Sequence, residues 1–146
     1  MNGKSAWSLK IVLVLVVLSV AACDSGQGTI DDPFVGTWSL SAETVGGTTL
    51  AIGPDATEVS ATVVVNKDNT MTTSARWQGT DISSTGTWSR NGSSYTTVGT
   101  ATVNGNTHTA TVTGSLSSDY KTWTASGNDV DSAGNTTPVE ATYVRQ

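Results

Sequence analysis

Cys23 and His108 are the only cysteine and the only histidine among 146 residues, so thiol, imidazole and metal chemistry depend on two positions. His108 stands between Thr107 and Thr109. A zinc site needs three or four ligands, and no run of His, Cys or carboxylate residues accompanies it. It reads as a surface or satisfied core histidine. Asp129 and Asp131 lie in a stretch expected to be a loop, but the spacing lacks the closing glutamate of an EF-hand. A solvated acidic loop without calcium is the expectation. The sequence contains no Gly-x-Ser-x-Gly elbow, phosphate loop or zinc-protease motif. No histidine–acid pair is placed to activate a hydroxyl. The chain is therefore expected not to be an enzyme, with no catalytic residue, metal or cofactor.

Cys23 differs in its setting. Lys4 and Lys10 precede Ile11 to Ala22, twelve residues of which only Ser19 is polar. As a helix they would cover roughly 18 Å, short of a ~30 Å hydrocarbon core. A basic start, a short apolar middle and the small residues Ala21 and Ala22 form the secretory pattern. The stretch Leu18-Ser19-Val20-Ala21-Ala22-Cys23 resembles the lipobox of bacterial lipoproteins. The resemblance implies a signal peptide over 1–22, cleavage before Cys23 and acylation of its sulfur with palmitate-type chains. Several chains on one cysteine make a permanent tether. The expected location is the bacterial cell envelope, with the protein lipid-anchored and facing the periplasm or the surface.

After such a cut, 124 residues remain, enough for one domain. Five basic residues face twelve acidic ones, a net charge of −7 that argues against nucleic acid as a partner. No second cysteine exists, so no intramolecular disulfide stabilises the fold. Leu, Ile, Val and Phe make up only about 15% of this part, yet it holds 26 threonines and four tryptophans. Thr and Val are stiff at χ1 and suit a pleated sheet, so an ordered, lightly packed, all-β domain is expected.

Residues 23–33 read as a flexible linker and 34–146 as the domain. Strand signals begin at Phe34–Leu40, and a short strand or a loop follows at 48–52. Val59, Ala61, Val63 and Val65 alternate with polar residues, as do Met71, Thr73, Ala75 and Trp77, then Ile82, Ser84, Gly86 and Trp88. Asn91-Gly92 and Asn104-Gly105 carry the type I′ hairpin signature. Seven or eight strands joined by hairpins form a meander, which hides its edges by closing. The expected architecture is a single antiparallel up-and-down barrel of about eight strands. A β-sandwich is the alternative and a threonine-rich solenoid a distant third.

Gly36-Thr37-Trp38 on the first strand resembles the lipocalin signature. More particularly it is similar to small bacterial lipocalin-like lipoproteins, with Gly-Thr-Trp-Ser again at 86–89. That resemblance implies barrel closure by Gly36, Trp38 and Arg145, the arginine crossing the indole face. It also implies a small apolar or amphipathic ligand, with Trp77, Trp88 and Trp123 as candidate cavity lining. The chain departs from animal lipocalins after Thr80-Asp81, where no tyrosine follows. The alternative function is a structural or interaction module of the envelope with a filled core, its protein partner unknown.

Overall fold

The computed structural model describes residues 31–53, 55 and 58–146. Cys23, the signal segment and the linker as far as residue 30 lie outside the described residues. Among the described residues nine strands form and no helix. They are β1 (Gly36–Val45), β2 (Thr48–Thr49), β3 (Val59–Val65), β4 (Thr70–Trp77), β5 (Thr80–Asn91), β6 (Ser94–Val103), β7 (Asn106–Leu116), β8 (Thr122–Asp131) and β9 (Thr136–Arg145). Eight of them close a barrel in the order β1-β3-β4-β5-β6-β7-β8-β9, with β9 returning to pair with β1. Strand β2 folds back on the far end of β1 as a short hairpin. Every named strand pair is antiparallel, so the fold is one closed meander and not two packed layers.

The two-residue period explains where the threonines go. Across β6 and β7 the outward hydroxyls pair directly, Thr96 with Thr113 at 2.8 Å and Thr100 with Thr109 at 3.1 Å. Each such cross-strand pair contributes about 0.2–1 kcal/mol. The turns follow backbone sign. Asn104 and Gly105 both have positive φ, 50° and 80°, the expected type I′ turn. The turn after β5 differs from expectation: Asn91 pairs with Ser94, so the central residues are Gly92 and Ser93. Of these two only Gly92 (φ 62°) is positive, a II′ pattern shifted by one residue.

Strand β1 carries the closure. Trp38 pairs with Val63 of β3 on one side and with Arg145 of β9 on the other. Its ring is fully buried, and its Nε1 donates to the Phe34 carbonyl at 2.9 Å. Phe34 turns in from the lead-in and packs on Trp38, Trp88, Tyr95 and Trp123 at centroid distances of 4.6–5.9 Å. Outside this plug the Arg145 guanidinium lies 4.4 Å from the Trp38 ring centroid. Its Nη1 donates to Val35 O at 3.0 Å, its Nη2 to Pro33 O and its Nε to Tyr120 O at 3.0 Å. The end of the expected linker is thus bound: Asp32 accepts from Phe34 N and pairs with Arg90.

Gly36 has φ +145°, and an added Cβ would stand 2.6 Å from Arg145 Nη1. That backbone region is almost confined to glycine and costs other residues about 1–3 kcal/mol. Gly36→Ala is therefore expected to lower the urea midpoint by a stability loss in that range, measured by tryptophan fluorescence. An unchanged midpoint would remove Gly36 from the closure.

Candidate functional site

Strict alternation from Trp38 and Leu40 would continue inward at Ala42 and Thr44. It does not, because the register between β1 and β9 slips by one residue between Leu40 and Ala42. Ser41 is the extra residue. It is exposed, and its Oγ donates to the Thr142 carbonyl at 3.0 Å. A bulge reverses which side chains face the core beyond it. Glu43 and Val45 consequently point inward, and Glu43 is only 4% exposed.

Counted from the plug, each stave offers at least four inward positions, and β6 has a fifth at Val103. The first is dominated by the plug itself: Trp38, Val65, Met71, Trp88, Tyr95 and Trp123. The second holds Leu40, Val63, Thr73, Thr97, Val112, Ala125 and Tyr143, with Gly86 in β5. The third is different. It is alanine in four strands (Ala61, Ala75, Ala110, Ala141), glycine in two (Gly99, Gly127), Ser84 in β5 and Glu43 in β1. The fourth returns to larger groups, including Val59, Trp77, Ile82, His108, Asp129 and Val139. An eight-strand barrel is just wide enough for ordinary side chains to fill. Here the waist carries mostly small ones, although the plug residues still pack in one cluster with Ala141 at the waist and with Val45, Val59 and Val139 beyond it. Ala75, Ile82, Ala101 and Val103 cluster apart from the buried residues around the plug, and half-buried Ala61 and Trp77 touch both groups.

Buried polar atoms along the wall, from the plug to the rim, stand without partners. Thr73 Oγ1, Ser84 Oγ, Trp77 Nε1, Trp123 Nε1 and Asp129 Oδ1 are all buried and make no hydrogen bond. Thr73 and Ser84 are direct cross-strand neighbours. Each buried polar group left unmade costs about 1–3 kcal/mol. Among the described residues no group donates a hydrogen bond to the Glu43 carboxyl. Burial pushes its pKa from the usual 4.5 up to about 7. The Tyr143 phenol is raised too, by burial first and then by the charge of Glu43.

His108 and Asp129 meet at the rim, contrary to the expectation of an isolated histidine and an acidic loop. Asp129 lies within β8, which runs on to Asp131, and its side chain is 3% exposed. Its Oδ2 is 2.9 Å from His108 Nδ1. An ionised carboxylate only accepts, so the pair sets the ring proton on Nδ1. Burial raises the Asp129 pKa, while the hydrogen bond and charge of His108 oppose that rise. Among the described residues no serine or threonine hydroxyl bonds the ring, so no nucleophile is aligned. No group of three or more His, Cys, Asp or Glu side chains able to hold a metal ion occurs among them either. Asp131 instead organises its turn, accepting from Ala133 N, Asn135 N and Asn135 Nδ2.

The three candidate cavity tryptophans do not share one place. Trp88 and Trp123 belong to the plug, and Trp88 Nε1 donates to Asn66 O at 2.8 Å. Trp123 stacks on Tyr143 at 5.0 Å. Only Trp77 stands beyond the waist. Sequence reasoning missed Glu43; the available signal was the phase change between Trp38/Leu40 and Val45.

No family model matches the chain, and no curated protein matches it. Among solved structures the chain is similar to the crystal structure of bovine odorant binding protein complexed with its natural ligand. The identity is 14%, the TM-score 0.45, and the match covers 84% of this chain and 77% of that one.

Because the folded pKa of Glu43 exceeds its unfolded value, folding loses stability as pH rises through the window from 4.5 to about 7. The loss amounts to about 3 kcal/mol. Urea midpoints of the wild type are expected to fall between about pH 5 and 8, and Glu43→Gln to remove most of that fall. Parallel pH curves for the two proteins would show that Glu43 is not buried as described.

Proposed function

We propose that this chain is a lipid-anchored protein of a bacterial envelope whose barrel carries a small apolar or amphipathic molecule at its waist. Residues 1–22 are the signal peptide, Cys23 bears the lipid and 23–33 lead to the barrel. The observation that carries the ligand reading is the waist: seven of its eight side chains are Gly, Ala or Ser, between a sealed aromatic end and a mixed rim. Ligand sites are mostly apolar with a few placed polar groups, and the unpartnered hydroxyls and indole N–H groups fit that description. The lipobox carries the anchoring reading. A filled-core interaction module is the second reading, favoured by the tight packing of Phe34, Trp38 and Trp123, each fully buried.

Radiolabelled palmitate is expected to enter the wild-type protein and not Cys23→Ala; equal labelling of both would end the anchoring reading. For the cavity, N-phenylnaphthylamine is expected to brighten on wild-type protein. Ala110→Leu, which fills the waist, should abolish the gain. No brightening with folded wild-type protein would favour the filled core.

A further inference from the structure

We infer that the waist selects a compact organic cation, a protonated amine on an apolar body, with Glu43 as the carboxylate that receives it. The inference rests on the carrier reading above and adds the chemistry of the ligand.

Charge inside the barrel is one-sided. Glu43 and Asp129 are the buried carboxyl groups, 4% and 2% exposed. Among the described residues only His108 and Arg145 oppose them, and both are committed. His108 is bonded to Asp129, and the Arg145 guanidinium serves three backbone carbonyls below the plug. Lys67, Arg76, Arg90 and Lys121 are all exposed on the outside. An anionic head entering the waist would therefore meet two carboxyls and no uncommitted cation among the described residues. A cation would meet the reverse. Glu43 has no donor among the described residues, and the other inward positions at its level are alanine, glycine and Ser84. Burial alone disfavours its ionised form, so a bound ammonium would supply the missing partner. The aliphatic side chains of Val59, Ile82 and Val139 at the rim suit an apolar tail. Glu43 reaches this place through the Ser41 bulge, a local irregularity that costs ladder hydrogen bonds and is commonly kept to re-aim a side chain.

The test uses three compounds of one size and different charge: octylamine, octanol and octanoate. Each is titrated into the barrel domain in the full processed chain, with binding read by calorimetry and by the shift in melting temperature. Octylamine is expected to bind most tightly. Glu43→Gln, which keeps size and hydrogen-bonding capacity, is expected to weaken octylamine by about tenfold or more and leave octanol unchanged. The unliganded melting temperature of that variant reports folding separately. Octanoate or octanol binding as tightly as octylamine would overturn the proposal and leave the carrier reading intact. Equal octylamine affinity in Glu43→Gln would also overturn it. No binding of any of the three to folded wild-type protein would overturn both.

Discussion

The structure depends on one strand being held on both sides at once. Near Trp38, β1 must pair with β3 and β9, or the meander remains an open sheet with two exposed edges. The Arg145–Trp38 contact secures that double pairing. A cation over an indole is worth about 0.5–2 kcal/mol, and three charged hydrogen bonds to carbonyls add to it. The arginine also ties the lead-in to the turn before β8, so Phe34 is driven into the barrel mouth. With no disulfide available, this aromatic plug and the continuous hydrogen-bond ladder bear the stability that many small exported domains take from cystines.

Sealing one end changes what the rest of the interior can be. The plug buries most of the large apolar side chains of a chain poor in leucine and isoleucine. Little remains to fill the waist, and evolution has left it to alanine, glycine and serine. A buried carboxyl in such a place is costly, and the bulge at Ser41 puts it there against the strand's own alternation. Strain and unmet polarity of this kind concentrate where proteins bind or react. The buried side chains of the wall include Glu43, Thr73 and Ser84, and the His108–Asp129 pair joins β7 to β8.

Much of the wall was legible before the coordinates. Val59 to Val65, Met71 to Trp77 and Ile82 to Trp88 alternate cleanly in the sequence, and in the structure each alternating set faces inward. Barrel closure also followed from hairpins alone, because consecutive antiparallel strands leave few other ways to bury edges. The misses share a cause: non-local partners override local pattern. Asp129 looks like a loop residue until β7 and β9 pair on either side of it. The turn at Gly92 shifts by one residue because Asn91 is drawn into the ladder opposite Ser94. Glu43 reads as solvent-facing unless the phase change across Ser41 is noticed.

Glu43 sits inside the barrel with no hydrogen-bond partner among the described residues, and burial raises its pKa to about 7. A titration of its side-chain carbonyl carbon by NMR measures that directly. The expected midpoint is about 7. A midpoint near the ordinary 4.5 would place the carboxyl in water, and the waist could then not be the site described.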